Sequence, residues 1–482
     1  MKKVIVNYIF SIMFQLLNIL LPLITTPYIA RTLGVANVGY NSYITSIVNY
    51  FTLFAMFGTN MYGQREIGSH QNDKEKYSQI FYKIIIIKII IGLIVSAAYA
   101  IVSYVFFEDF LVLFLIRYFS LAAVIFDVSW FFQGLENFKI TVVRQMIVKI
   151  LAVISIFLFV NKENDLWKYM LIDGGLTFLG TITIYSYLPK YLVKVTINIK
   201  TIRSDFKEML SLFIPQIATS LYAIIDKSMI GMYYSDGIES GYYEQAYKIE
   251  MIGISIVVAF TNVLIPRLAL FYETNKTREL YNTIKQAIDY IIFMGVPLAF
   301  GISAICKNVL PWFLGGGYDK SSVVLSITAF LILIMGLTNF WGFAYLVATK
   351  QSKIYTKSVF LGTGINIILN FILIKLYASI GAAIASVLSE IVVLIFQTIV
   401  VSKQINLKEI FKGKIIYIID GFIMWLIVSY LSRILSPQFI NSILIAMIGA
   451  LIYLVILVIN KDKYLLSILD KLKIIKRRFK IK

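Results

Sequence analysis

The stretch IIIIKIIIGLIVSAAYAIVSYVFF, residues 84–107, holds a single charged side chain, Lys88, in a run long enough to cross a bilayer. A spanning helix needs about 20 mainly apolar residues. Working outward, comparable segments lie at about 1–30, 40–61, 110–133, 142–160, 168–189, 208–232, 243–266, 286–306, 321–348, 358–374, 377–401, 415–434 and 441–460. With residues 84–107 they make about fourteen spans. The composition agrees: 59% of the 482 residues are hydrophobic and 15% charged, against roughly 25% charged in an ordinary soluble domain. Mean hydropathy is +0.81. The first run follows Met1-Lys2-Lys3 but continues to about Ala30, longer than a signal peptide's apolar region, and reads as a retained first span.

The formal charge is +19 and the pI about 9.5, which in a soluble chain would point to nucleic acid. The placement of the bases argues otherwise. Counted over alternate loops, about three-quarters of the 45 Lys and Arg fall on the side of the two termini, which the positive-inside rule puts in the cytoplasm. That count places Arg144 and Lys149 with the loop between spans four and five. It leaves Lys88, Arg117, Lys227 and Lys248 inside spans. The tail from Lys461 to Lys482 interleaves Lys and Arg with Leu, Ile and Phe, the pattern of a basic amphipathic helix on anionic lipid headgroups. No nucleic-acid partner is expected.

Several chemistries are excluded. One cysteine, Cys306, and one histidine, His70, cannot build a disulfide or a multi-ligand Cys/His metal centre. No phosphate-binding loop and no H-E-x-x-H occurs, and Gly315-Gly316-Gly317 reads as a flexible turn. Asn275-Lys276-Thr277 matches a glycosylation acceptor but falls on the cytoplasmic side. No loop approaches the size of a catalytic domain, and no carboxylate pair defines a general acid and base. The expectation is a transporter without cofactor or enzyme activity.

Polar residues inside the spans form stripes. On span one, Asn7, Ser11, Gln15, Asn18, Pro22 and Thr26 share one face; on span seven, Gln216, Thr219, Ser220, Asp226 and Lys227 do. Such stripes line a cavity or bond helix to helix. Gly39-Tyr40 after span one echoes Gly241-Tyr242 after span seven, which favours two six-helix lobes followed by two further helices. The expected organisation is an N-terminal lobe at 1–200, a C-terminal lobe at 201–402, two helices at 403–460 and a basic cytoplasmic tail at 461–482. Intramembrane charges are functional candidates unless they can reach the surface. Lys88 is expected to snorkel to the cytoplasmic face. Glu244 and Lys248, spaced i,i+4, suit an ion pair as well as a ligand contact. Asp127, Asp173, Asp226, Glu250 and Glu390 could couple transport to a cation or partner an intramembrane base, and Asp420 is a further buried carboxylate.

Several strings together resemble one family. TPYIARTLG (26–34) with Gly39-Tyr40, YGQREI (62–67), WFFQGLENF (130–138) with Arg144 and Lys149 beyond, DKSMIG (226–231), Gly241-Tyr242 and AYKI (246–249) are similar to the Wzx-type polysaccharide flippases of the multidrug/oligosaccharidyl-lipid/polysaccharide exporter superfamily. The resemblance implies an all-α integral membrane protein of two lobes, helices 1–6 and 7–12, around a central cationic cavity, with two added C-terminal helices and both termini cytoplasmic. It also implies alternating access that carries an undecaprenyl-pyrophosphate-linked oligosaccharide to the outer leaflet of a bacterial plasma membrane for capsule or O-antigen. Other polysaccharide-assembly membrane proteins are candidate partners. Moving a sugar pyrophosphate through hydrocarbon requires groups that replace its water. Arg31, Arg117, Lys227 and Lys248 are then expected to meet the pyrophosphate, and Gln15, Asn18 and Gln216 the sugar. The alternatives are a cation-coupled small-molecule or drug exporter of the same superfamily and a membrane glycan polymerase; a polymerase would need the large outer loop that this chain lacks.

Overall fold

The structure, a computed structural model, describes residues 2–197, 202–462 and 464–466, with side chains described from residue 13 onward except at 215, 218, 219, 222 and 223. The basic tail beyond residue 466 and the side chains of Asn7, Ser11 and Thr219 lie outside the described residues. The described residues are almost wholly helical and contain no strand. In hydrocarbon a backbone must satisfy its own N–H and C=O groups, and the helix does so within one segment.

The chain divides into two compact units, Met1–Gly241 and Tyr242–Lys482. The first contains α1 (Lys2–Met56), α2 (Thr59–Ser69), α3 (Lys74–Phe106), α4 (Leu111–Ile125), α5 (Ser129–Gly134), α6 (Phe138–Phe159), α7 (Leu166–Thr183) and α8 (Ile202–Tyr233). Helix α9 (Ile238–Glu273) begins in the first unit and continues in the second. The second also holds α10 (Thr277–Leu314), α11 (Asp319–Thr328), α12 (Leu331–Asn339), α13 (Ser352–Ser402), α14 (Leu407–Ile410), α15 (Ile415–Ile434) and α16 (Phe439–Ile459). The boundary at Gly241 lies one helix beyond the division at 200 read from the sequence. Helix α8 packs on α1 through Phe57 against Phe206 and Phe213, at ring separations of 4.8 and 5.0 Å, and through a 2.7 Å hydrogen bond between Tyr50 and Ser228.

Ten helical stretches among the described residues are long and apolar enough to cross a membrane. Two of these are hairpins. Helix α1 breaks at Gly34, whose φ of 74° is a left-handed conformation that glycine adopts without strain. Phe14 on one arm and Met56 on the other border the same cavity, so the arms fold back on each other. Helix α13 breaks at Ala378 (φ 53°), and the pairs Gln351 with Gln404 and Ser358 with Gln397 show its arms running antiparallel. Helices α7 and α8 are less apolar, since α7 carries Lys168, Asp173 and three glycines, and α8 carries charges at both ends. Each of the fourteen apolar segments falls on a helix, and the chain is a multi-pass membrane protein.

One apolar cluster of the first unit is built around α5, and another joins α1, α3, α4 and α7. Trp130, Phe131 and Phe132 are fully buried and contact Phe81, Tyr77 and Tyr191 at ring separations of 5.0–6.4 Å. Gly63 on α2 admits the Trp130 indole, because a Cβ there would sit 2.2 Å from a ring carbon. In the second unit α10 packs on α12, α15 and α16 around Ile288, Ile291, Trp341 and Tyr417. Asn308 and Trp312 on α10 both bond Ser442 of α16, at 2.7 Å each.

Candidate functional site

In the first unit α1, α2, α4, α6 and α7 surround a cavity of about 370 Å³. Two bases of α6, Arg144 and Lys149, line it together with Asp127, Gln145, Asn60 and Thr177. Helix α6 presents them because it approaches α7 closely: a Cβ on Gly180 would lie 2.4 Å from Val148. The same approach brings the Gly180 carbonyl to Arg144, which donates Nη1 to it and Nη2 to Ser129 Oγ at 3.3 Å. Lys149 donates to Asn18 Oδ1 and lies 5.3 Å from the centre of the Phe14 ring. Among the described residues Arg144 Nε and Asn60 Oδ1 are buried without a hydrogen-bond partner. The cavity thus carries two cations and one carboxylate on its lining.

Asp127 stands where α4 gives way to α5. One carboxylate oxygen accepts from Ser129 N at 3.0 Å and Ser129 Oγ at 2.5 Å, and its carbonyl accepts from Trp130 Nε1 at 3.2 Å. The same carbonyl takes Lys88 Nζ at 2.6 Å. Lys88 is 1% exposed and does not snorkel as the sequence suggested. The broken helix at Asp127 leaves a carbonyl unsatisfied, and Lys88 reaches it more readily than the surface.

The other sequence-derived residues fall in separate places. Arg117, 3% exposed, donates to Asp173 at 2.5 Å and to Asn41 Oδ1 at 2.5 Å, so one expected cargo contact is paired with one expected coupling carboxylate. Asp173 keeps 52% of its side chain exposed. Asn18 joins the cavity through Lys149. Gln15 and Arg31 are exposed on α1. Gln216 donates to Met56 Sδ at 3.4 Å. On α8 Asp226 is buried and Lys227 half-buried. In the second unit Lys248 lies 3.7 Å from Glu244, the i,i+4 pair read from the sequence. Glu250 is buried, and buried Glu390 accepts from Thr338 Oγ1.

Arg144 and Lys149 line this cavity and are not among the candidate site residues named from the sequence. Counting them as loop bases set them apart from the intramembrane charges, although both lie within the apolar segment 142–160. Their position inside that run, five residues apart, was the available signal.

The chain is 24% identical over 404 residues to a putative O-antigen transporter of Escherichia coli (strain K12), covering 80% of this chain and 94% of that one. Its fold is similar to that of the lipid II flippase MurJ in an inward closed conformation, with a TM-score of 0.75, 18% identity, and coverage of 94% of this chain and 99% of that one. A multidrug resistance transporter of the MATE family in an inward-facing conformation gives a TM-score of 0.62 at 13% identity, over 81% of this chain and 95% of that one. Residues 4–272, more than half of the sequence, match a family model described as polysaccharide biosynthesis protein, and the chain belongs to that family.

Proposed function

We propose that this protein is a flippase that moves an undecaprenyl-pyrophosphate-linked oligosaccharide from the cytoplasmic to the outer leaflet of a bacterial plasma membrane, for capsule or O-antigen synthesis. It is a transporter and not an enzyme. The observation that carries this reading is the dibasic cavity in a chain of the polysaccharide biosynthesis family. A base at the centre of a span costs about 2.5–3.5 kcal/mol on insertion scales; two line this cavity against the single carboxylate of Asp127, so an anionic cargo would complete the charge balance. A pyrophosphate supplies that anion through charge-assisted hydrogen bonds to Arg144 and Lys149. Asn60, Gln145 and Asn18 then present amides to sugar hydroxyls.

Within this reading Arg144 and Lys149 are the first contacts for the pyrophosphate. Arg117 is held by Asp173 and serves once that pair opens. Arg31, Lys227, Lys248, Gln15 and Gln216 are assigned to the cargo path by their helix positions. Asp127 shares the cavity with the bases and is the leading candidate for cation coupling, ahead of Asp173, Asp226, Glu250 and Glu390. Other polysaccharide-assembly membrane proteins are its candidate partners, and anionic lipids are those of the C-terminal tail.

Deleting the gene tests the function. Lipid-linked repeat units should accumulate on the cytoplasmic leaflet while surface polysaccharide disappears. Normal surface polysaccharide with raised drug sensitivity would replace this reading with a small-molecule exporter.

A further inference from the structure

A second recess adjoins the dibasic cavity. It is a groove of about 710 Å³ between α6 and α7, with Lys139 and Arg144 at one end and Ile147, Leu151, Leu176 and Leu179 along its length. Arg144 borders both the groove and the cavity. Lys139 is exposed and has no hydrogen-bond or ion-pair partner among the described residues. Ile147, Leu151 and Leu179 are 52, 47 and 59% exposed, so the apolar strip is uncovered.

We propose that this groove binds the phosphate end of a polyprenyl phosphate lying in the cytoplasmic leaflet, with its chain along the apolar strip. The proposal rests on the flippase reading and adds to it a place where the carrier docks beside the cavity. The charge fits, because Lys139 and Arg144 offer two cations to an anionic headgroup where one wall of the groove turns polar. The depth fits too. From Lys139 to Leu151 the helix rises about 18 Å at 1.5 Å per residue, close to the roughly 15 Å of hydrocarbon in one leaflet. Lys139, at the start of α6, lies on the side that the Lys and Arg distribution assigns to the cytoplasm. The shared Arg144 joins the groove to the cavity. A phosphate held there leaves whatever is attached beyond it next to Asn18, Asn60 and Lys149, while the hydrocarbon chain remains outside.

The test uses the full chain, purified into zwitterionic lipid nanodiscs, with undecaprenyl phosphate titrated and retained lipid read by native mass spectrometry. Lys139→Gln and the groove-filling Ile147→Trp and Leu179→Trp lie outside the cavity lining. Each should weaken retention by at least about tenfold, while Lys139→Arg retains binding. Variants are compared only where they insert and elute as wild type does; Lys139→Gln, at an exposed position, guards against misfolding of the tryptophan variants. Wild-type retention that all three variants share overturns the groove site alone. Equal competition by phosphatidylglycerol also overturns it, in favour of a bulk anionic-lipid site. Wild-type protein that holds no undecaprenyl phosphate overturns the site together with the carrier reading beneath it.

Discussion

Arg144 and Arg117 are both intramembrane arginines, yet their surroundings give them different work. Arg144 is hydrogen-bonded to a carbonyl and a hydroxyl, and the nearest carboxylate, Asp127, reaches it only through that Ser129 hydroxyl, so no direct ion pair holds it. Arg144→Gln and Lys149→Gln should each lower surface polysaccharide about tenfold or more at unchanged membrane content, since hydrogen bonds to charged groups contribute about 1.5–3 kcal/mol. Full complementation by both would remove them from the site. Arg117 is balanced by Asp173. Arg117→Gln should therefore reduce thermal stability, by about 2 kcal/mol because Asp173 is half exposed, below the 3–5 kcal/mol of a fully buried pair. The double variant Arg117→Gln/Asp173→Asn should recover most of that loss. Outside the spans, Asp165 is held below the usual carboxylate range by its hydrogen bond to Lys168, with the N–H groups of Asn161 and Lys162 adding to the effect. A depressed native pKa contributes stability above the unfolded value of about 3.9 and loses it as pH falls through the native value. Asp165→Asn should thus lower the melting temperature at neutral pH, and the difference from wild type should shrink at about pH 3.

Among the helical elements, α1 makes a close backbone approach to the start of α9. A Cβ on Gly39 would lie 1.6 Å from the Gly237 carbonyl oxygen, and one on Gly241 would lie 2.2 Å from that of Val35. Neither neighbour is a side chain that can turn aside. Gly39→Leu should therefore abolish recovery of monodisperse protein after detergent extraction, since backbone overlap exceeds the about 1–3 kcal/mol of ordinary overpacking. The sequence showed Gly39-Tyr40 and Gly241-Tyr242 as an echo between two halves; in the fold both glycines occupy one crossing. WFFQGLENF has a comparable explanation. Its aromatic side chains form the centre of one apolar cluster of the first unit, and Asn137 donates its backbone N–H to the Phe132 carbonyl and its side-chain amide to Tyr191, at 2.8 Å each. Trp130→Ala should cost about 3–5 kcal/mol, as other large core truncations do.

For the whole molecule, the distribution of the 45 Lys and Arg predicts an orientation that can be measured directly. Starting from a Cys306→Ala background, a cysteine introduced at Lys276 should react with an impermeant maleimide only after the cells are opened. One at Glu163, in the turn between α6 and α7, should react in intact cells. The reverse pattern would invert the topology and with it the direction proposed for transport.

The sequence alone determined the membrane class and the helical segments, because both depend on local hydropathy, and its charge distribution gives the orientation to be tested. It also marked Asn18, Arg117 and Asp127 as charged or polar groups too deep to ignore. Only the tertiary structure decided which of these charges are paired and which line a cavity. Spacing along the chain could not show that Asp173 neutralises Arg117, that Lys88 turns inward to a broken helix, or that Arg144 and Lys149 belong to a cavity rather than a loop. Those outcomes depend on contacts between helices 39 to 131 residues apart in sequence. In a low-dielectric interior, the partner across the gap sets the work of each charge.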